Sequence, residues 1–170
     1  MAENGYEWWI DRMRCTFARL DSIRIDHFRG FEAYWEIPAS EETAINGHWV
    51  QGPGTALFDA IRGTLGDLPI VAENLGIITP EVEAMRKKLG FPGMAVLQFA
   101  FGTDRNSPGI LPHTYETDTA AYTGTHDNDT TVGWWNSTGE GTTQTPEQIA
   151  EERAFARAYL HCDEAEIHWG

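Results

Sequence analysis

Short apolar segments alternate along this chain with segments of helical periodicity, and this alternation constrains the fold more than any other feature. The apolar segments, which predict β-strands, are SIRI (22–25), LPIVAENLG (68–76), MAVLQFAF (94–101) and AAYTGTHD (120–127). The predicted helices cover 6–21, 79–89 and 145–160, and the segment 52–66 predicts a loop followed by a helix. Strands that alternate with helices form βαβ units around a parallel sheet. The sequence therefore predicts an α/β fold, with a loop-like segment at 102–118.

Capping residues predict where two of these helices begin. Thr79 precedes a proline and an acidic residue, as is usual at a helix N-terminus, and Gly90 follows the last apolar residue of the same helix. Thr145 and Gln148 have the spacing of a capping box, in which each side chain binds the other residue's backbone N–H. Local chemistry and periodicity therefore agree on these two helices.

Charge and composition exclude several classes of partner. A net charge of −14 on 170 residues opposes binding to nucleic acids and to anionic membrane surfaces. No apolar run approaches the roughly 20 residues that span a bilayer, and the N-terminus lacks the pattern of a secretory signal. Cys15 and Cys162 lack the spacing of a metal site and predict free thiols in a reducing compartment. We therefore expect a cytoplasmic protein that binds neither nucleic acid nor membrane.

Three of the four predicted strands have a carboxylate at or near their end. Asp26 follows the first strand, Glu73 lies near the end of the second and Asp127 is the last residue of the fourth. In parallel α/β folds the catalytic groups lie at the carboxyl ends of the strands. A single acid in such a place is more often structural or solvated than catalytic, but three of them in one sheet favour a shared site.

The residues around the first two acids suggest different charge states. Arg24 and Asp26 are two positions apart, so an extended strand places them on one side, where the guanidinium favours an ionised carboxylate. Glu73 follows apolar strand residues, and an apolar surrounding favours a protonated acid. An ionised nucleophile beside a protonated acid is typical of retaining glycosidases, whose two carboxyl groups stand about 5–5.5 Å apart. Asp127 would then bind sugar hydroxyls or oppose charge in the transition state.

Two other interpretations fit parts of this pattern. Arg24 and Asp26 alone would make an ordinary ion pair. His126, Asp127 and Asp129 could ligate a metal ion as in barrel metallohydrolases, but the HxH and HExxH spacings that identify such sites are absent. The metal interpretation is the weaker one, and we expect no metal and no cofactor.

Three long segments resemble one known family. RIDHFRGFEAYWEIPA (24–39), VAENLGIITPEVEAMRKKLGFPGMAVLQFAF (71–101) and YTGTHDNDTTVGWW (122–135) are similar to segments of amylomaltase, the 4-alpha-glucanotransferase also called disproportionating enzyme. The resemblance covers nearly the whole chain, is thinner after Trp135, and implies the (β/α)8 barrel of the α-amylase superfamily. Because the family's chain is much longer, we expect residues 1–170 to form a single partial catalytic domain, truncated at both ends. That domain would supply about the fourth to seventh strands of the TIM barrel.

The resemblance also implies a role for six residues. Asp26 matches the family's nucleophile, Glu73 its general acid/base and Asp127 the acid that stabilises the transition state. The positions that match substrate-binding residues are Arg24, His126 and Phe99, although Phe99 would be core by pattern alone.

Other residues near these motifs have no such match. His27 and Arg29 are expected to be scaffold, and Trp8 and Trp9 on the first helix to be structural. The pattern leaves the roles of three further tryptophans undecided, namely Trp35, Trp134 and Trp135.

The implied reaction is the transfer of α-1,4-glucan segments between maltooligosaccharides, through a covalent glycosyl intermediate on Asp26. An open partial barrel exposes strand edges and an apolar lining, so we also expect self-association. The alternatives are an inactive fragment, a half-barrel that binds α-glucans weakly and, less favoured, a metal-dependent hydrolase.

Overall fold

The computed structural model describes residues 2–102, 109–140, 143–163 and 166–167. The helices are α1 (Glu7–Phe17), α2 (Gly54–Leu65), α3 (Pro80–Leu89), α4 (Thr131–Asn136) and α5 (Pro146–Leu160). The strands are β1 (Ile23–Ile25), β2 (Ala33–Glu36), β3 (His48–Gln51), β4 (Ile70–Ala72), β5 (Gly93–Val96) and β6 (Thr119–Tyr122). Within the described ranges, no helix is long and apolar enough to cross a bilayer.

Contacts along the chain group the residues into two compact units, Met1–Met94 and Ala95–Gly170. Each unit is described by itself. The expectation of a single domain over residues 1–170 stays a prediction. The mixture of helices and strands in both units agrees with the predicted α/β class.

β1 and β4 form a parallel pair, as predicted for the first two apolar segments. Ile23 pairs with Ile70, and Ile25 pairs with Ala72. Because side chains alternate along a strand, these residues share one face of the pair, and Ile25, Ile70 and Ala72 are buried there. Arg24 lies on the other face. The register therefore directs Ile25, Ile70 and Ala72 into the core and places Arg24 beside Val71 on the opposite face.

The core of the first unit combines this strand pair with the apolar faces of three helices. Phe58 of α2 is fully buried, and its ring centroid lies 5.8 Å from that of Phe28, 5.1 Å from that of Phe31 and 5.3 Å from that of Phe91. The helices also contribute Met13, Leu57, Ile61, Val82, Met85 and Leu89. Their predicted apolar faces are thus the faces that pack.

A network of polar groups joins α3 to the end of β4 and the start of β5. Arg86 is only 3% exposed; its Nη2 lies 3.0 Å from Glu83 Oε2, and its Nη1 donates to the Phe91 carbonyl at 2.7 Å. Glu83 Oε1 accepts a hydrogen bond of 2.6 Å from the Asn74 amide. Asn74 Oδ1 in turn accepts from the Met94 backbone N–H at 2.8 Å. The buried guanidinium is therefore both paired and hydrogen-bonded.

The antiparallel hairpin of β2 and β3 is absent from the sequence prediction. Trp35 lies opposite Trp49, with ring centroids 5.4 Å apart. Trp35 Nε1 donates to the Ala44 carbonyl at 2.9 Å, and a Cβ on Gly47 would lie 2.3 Å from that nitrogen. Most residues of both strands are exposed, so the alternation of apolar and polar residues that identifies a half-buried strand is missing here.

Three predicted strands are shorter than expected. Of the segment 68–76, only Ile70–Ala72 forms a strand. β5 ends at Val96, and Leu97–Phe101 forms a 3-10 helix where the prediction continued the strand. β6 ends at Tyr122, so Asp127 lies in the loop that follows and not at the strand end. An apolar run does not by itself distinguish a strand from a buried helical segment, which explains the error at β5. Of the loop predicted at 102–118, residues 103–108 lie outside the described residues.

The second unit contains the end of β5, the strand β6 and the two C-terminal helices. Its buried apolar residues are Ala100, Phe101, Trp135, Ala156 and Ile167. The predicted capping box of α5 is confirmed: Thr145 Oγ1 accepts from the Gln148 N–H at 3.3 Å, and Gln148 Oε1 accepts from the Thr145 N–H at 2.8 Å.

We predict that Phe58→Ala lowers the free energy of unfolding by about 3–5 kcal/mol, since it leaves a cavity among three other phenylalanine rings. Urea denaturation measures the change. Phe99→Ala makes the same chemical change at a side chain that is 47% exposed, so its effect is expected to be much smaller. Equal losses in the two variants would contradict the packing described for Phe58.

We also predict that Glu83 makes stability depend on pH. Burial raises the pKa of Glu83, but hydrogen bonds from Arg86 and Asn74, with the charges of Arg86 and Lys87, outweigh burial and leave that pKa below 4.5. A lowered folded-state pKa contributes stability above pH 4.5 that is lost as the pH falls through the folded-state value. Glu83→Gln should therefore be less stable than wild type at pH 7, with a difference that shrinks in acid.

The control for this experiment is Glu7→Gln, which removes an exposed carboxylate from the first turn of α1. Unfolding curves between pH 7 and pH 3 compare the three proteins. If the two variants show the same dependence on pH, Glu83 makes no special contribution to stability.

Candidate active site

Two of the predicted catalytic acids lie together in the first unit. Asp26 and Glu73 directly follow β1 and β4, and the parallel register brings both to the same edge of the strand pair. Arg24 Nη2 lies 2.8 Å from Asp26 Oδ1, so the predicted ion pair is present. The Asp26 side chain is 71% exposed and the Arg24 side chain only 26%. A half-buried guanidinium therefore holds a carboxylate that faces solvent.

Glu73 is bound through both its backbone and its side chain. Its N–H donates to the Ile25 carbonyl at 2.9 Å, and its carbonyl accepts from the Phe28 N–H at 3.0 Å. Its carboxylate accepts two further bonds, from the His27 N–H to Oε2 and from the Leu75 N–H to Oε1, each 2.7 Å long. Apolar residues precede Glu73 as expected, but the carboxylate itself lies against backbone N–H groups that fix its orientation.

His27 turns the chain so that this contact can form. Its φ of 49° lies in the left-handed region, which residues other than glycine adopt rarely. The His27 N–H that Glu73 binds belongs to the peptide bond between Asp26 and His27. The Glu73 carboxylate thus binds the peptide group that directly follows Asp26.

Arg29 connects the segment that follows Glu73 with strand β3. Its Nη1 donates to the Ile77 carbonyl at 2.7 Å, in the segment that follows Glu73, and its guanidinium lies 4.5 Å from the centre of the Trp49 ring. Such stacking is favourable because the aromatic face is electron-rich. These contacts agree with the expected scaffold role of Arg29.

Asp127 and His126 lie in the second unit, in a loop held by local hydrogen bonds. Asn128 Oδ1 accepts from the Thr125 N–H at 2.9 Å and from the Thr125 hydroxyl at 3.0 Å. The Asp127 N–H donates to the same hydroxyl at 3.3 Å. His126 Nε2 lies 3.4 Å from Asp127 Oδ2, and both side chains are exposed. The loop therefore presents an imidazole and a carboxylate side by side.

A cavity of about 630 Å³ in the second unit contains Asp127 and Phe99. Phe99 is 47% exposed, which differs from the core position that its sequence pattern alone would predict. Gln98 is buried beside it and donates to the Asp129 carbonyl at 2.8 Å. The remaining lining is polar and aromatic, and includes Trp134, Ser137, Glu140, Gln144, Glu152 and Arg153. A cavity of this kind suits a polar ligand with some apolar surface.

Asp129, one of the three residues of the metal interpretation, makes local contacts at the start of α4. Asp129 Oδ1 accepts from the Thr130 N–H at 2.8 Å, and its carboxylate crowds Gly133 at the start of α4. Among the described residues, no three His, Cys, Asp or Glu side chains form a group that could hold a metal ion.

The tryptophans divide between packing and surface. Trp9 packs against the core of the first unit, whereas Trp8 is 54% exposed. In the second unit Trp135 is buried, and Trp134 lines the cavity and donates from Nε1 to Glu152 at 3.2 Å. Trp8 is thus the less structural of the pair expected on the first helix.

Three amide side chains that the sequence analysis missed hold the turns around the acids: Asn74, Gln98 and Asn128. A signal for each is present in the sequence. Asn74 and Asn128 directly follow Glu73 and Asp127, and Gln98 is a polar residue within an apolar segment.

Comparison with known proteins identifies the family of this chain. Residues 1–170 match the model of glycoside hydrolase family 77, 4-alpha-glucanotransferase. The chain is 56% identical to the 4-alpha-glucanotransferase of Synechocystis sp., with 97% of the chain and 31% of the relative covered. For the Clostridium butyricum enzyme of the same name the identity is 46%, with 100% and 33% covered.

Among solved structures, an amylomaltase from Streptococcus agalactiae in complex with acarbose is similar, with a TM-score of 0.81 and 40% identity. That similarity covers 95% of this chain and 31% of the solved chain. The chain thus spans about a third of the length of the relatives that it matches. Because the family model matches its whole length, the chain belongs to the 4-alpha-glucanotransferase family.

Proposed function

We propose that this chain carries the catalytic acids of a 4-alpha-glucanotransferase, which moves α-1,4-glucan segments between maltooligosaccharides. The observation that supports this most directly is the contact between the Glu73 carboxylate and the peptide bond that follows Asp26. This contact supports the assignment of Asp26 as nucleophile and Glu73 as acid/base, because a retaining mechanism needs two carboxyl groups close together. Family membership supports the same choice of reaction.

In the first half of the proposed reaction, an Asp26 oxygen attacks the anomeric carbon of the donor glucan. The glycosidic C–O bond breaks, and Glu73 gives its proton to the departing oxygen. The products are a shortened glucan and a glycosyl ester on Asp26. Arg24 keeps the nucleophilic carboxylate oriented through the 2.8 Å ion pair.

In the second half, the 4-hydroxyl of an acceptor glucan attacks the same anomeric carbon. Glu73, now a carboxylate, takes the hydroxyl proton, and the ester bond to Asp26 breaks. Two displacements at one carbon retain its configuration. Transfer in place of hydrolysis requires that the acceptor sugar outcompete water.

We assign Asp127 to the transition state, where its negative charge opposes the positive charge that develops on the sugar ring. His126 and Phe99 are assigned to sugar binding. The cavity that contains Asp127 and Phe99 supports these roles, because an aromatic side chain beside carboxylates suits a sugar ring with polar edges and an apolar face.

The fold supports the mapping of the chain onto part of an α/β barrel. We propose that β1, β4, β5 and β6 are the fourth to seventh strands of an eight-stranded barrel. The parallel register of β1 with β4, and the helix between them, are what two successive barrel strands require. The cytoplasmic location expected from composition stays a prediction.

We predict that incubation with maltotriose yields glucose and longer oligomers. Asp26→Asn should lower this activity by roughly 10³-fold or more, since the amide is a poor nucleophile. Chromatography of the products over time measures both. Asp11→Asn is the matched control, because Asp11 is also an exposed aspartate paired with an arginine, Arg14.

Three outcomes of this experiment separate the interpretations. Activity that survives in Asp26→Asn contradicts the nucleophile assignment. Loss of activity with a chelator supports the metal-dependent hydrolase. If the wild-type chain forms no products but is slowed by α-glucans in an affinity gel, this chain is a half-barrel that binds α-glucans without transferring them.

We also propose that the chain associates with itself. Several large apolar side chains are well exposed, with Ile77 at 85%, Ile45 at 80% and Trp8 at 54%. Sedimentation velocity should therefore show a concentration-dependent shift to larger species. The Ile77→Ser variant should show a smaller shift with concentration than the wild type. A wild-type chain that stays monomeric at all concentrations would contradict the proposal.

A further inference from the structure

The Glu73 carboxylate binds the backbone two residues further along its own chain. Glu73 Oε1 accepts from the Leu75 N–H at 2.7 Å, which closes a tight turn with Asn74 at its centre. The orientation of the Leu75 N–H depends on the peptide that joins it to Asn74. A rotation of the Asn74 backbone would therefore move the Leu75 N–H away from the Glu73 carboxylate.

The Asn74 side chain is held at both ends. Its Oδ1 accepts from the Met94 N–H at 2.8 Å, and its Nδ2 donates to Glu83 Oε1 at 2.6 Å. Its amide lies against Gly93, where an added Cβ would be 2.9 Å away. These two hydrogen bonds and the close contact with Gly93 fix the orientation of the Asn74 amide.

The carboxylate that receives the Asn74 amide is itself fixed. Arg86 binds Glu83 through Nε at 3.1 Å and through Nη2 at 3.0 Å, and Arg86 is 3% exposed. A buried guanidinium needs its partner, because an unpaired charge in the interior is strongly unfavourable. Glu83 is thus held against Arg86 and presents Oε1 to Asn74.

We propose that Asn74 is a positioning residue for Glu73: anchored by Glu83 and by the Met94 N–H, it holds the turn that aims the Glu73 carboxylate. Asn74 itself is not assigned a contact with substrate. The inference rests on the proposed function for the catalytic role of Glu73, but the anchoring is a property of the first unit alone.

The chemistry of this position explains why an amide stands there. A carboxamide both donates and accepts, so it satisfies the Glu83 carboxylate and the Met94 N–H at once. An aspartate of the same shape still accepts from Met94, but it brings a second negative charge to Glu83 in place of a donor. Asn74→Asp therefore breaks only one of the two anchors.

Three variants test the proposal. Asn74→Asp removes the donor to Glu83. The double variant Asn74→Asp with Glu83→Gln restores an amide–carboxylate pair in the opposite sense, and the new glutamine carbonyl still accepts from Arg86. Asn46→Asp is the matched control, because Asn46 Nδ2 donates to Glu41 Oε2 at 2.7 Å on the exposed hairpin loop.

The first measurement is amide hydrogen exchange by NMR in the 170-residue chain. In Asn74→Asp, the His27 and Leu75 amides, both bound by the Glu73 carboxylate, should exchange about tenfold faster or more, while the Ile25 amide changes little. The double variant should restore slow exchange, and Asn46→Asp should match wild type. Uniform acceleration of all three amides would overturn the proposal, because that is the result of general destabilisation.

The second measurement is the transfer reaction with maltotriose. Asn74→Asp should lower kcat by about 10- to 100-fold with KM little changed, since the misplaced group acts in the chemical step. Recovery in the double variant supports positioning, and an unchanged kcat in Asn74→Asp overturns it. A wild-type chain without activity counts against the proposed function, and in that case the exchange experiment alone decides whether Asn74 positions Glu73.

Discussion

The parallel pairing of β1 with β4 is the constraint on which the first unit depends. Side chains alternate along a strand, so a slip of one residue would turn Ile25 away from the core and bury Arg24. The apolar face of the pair therefore fixes the register. The same register brings Asp26 and Glu73 to one edge, so the site depends on core packing that contains none of its chemistry.

Backbone groups and neutral amides, more than ion pairs, hold the candidate acids in place. Glu73 is oriented by two backbone N–H groups, and the loop of Asp127 is held by Asn128 and Gln98. An amide can fill a donor and an acceptor position together and brings no charge that would compete with a catalytic carboxylate. In each of the two units an asparagine directly follows a candidate acid and holds the turn around it, Asn74 after Glu73 and Asn128 after Asp127.

The sequence predicted the parts of the molecule whose signal is local. Helix α5 begins at the capping box read from Thr145 and Gln148, and β1 and β4 lie where apolar runs placed them. The ion pair of Arg24 with Asp26 follows from their spacing alone.

The errors arose where the decisive contacts are distant in sequence. The β2–β3 hairpin is exposed on both faces, and the 3-10 helix at Leu97–Phe101 has the apolar composition of a strand. The hydrogen bond that anchors Asn74 joins it to Met94, 20 positions away, so no local sequence pattern predicts this contact. Roles for single residues came from family resemblance, because a carboxylate at a strand end has the same spacing whether or not it is catalytic.

The indole pair of the hairpin has a spectroscopic consequence. The rings of Trp35 and Trp49 lie 5.4 Å apart at an interplanar angle of 68°, and both are partly exposed. Transition dipoles at that distance and inclination couple, and such coupling produces paired bands of opposite sign in circular dichroism. The hairpin therefore contributes to the aromatic circular dichroism together with two other indole pairs, Trp8 with Trp9 at 5.3 Å and Trp134 with Trp135 at 5.9 Å.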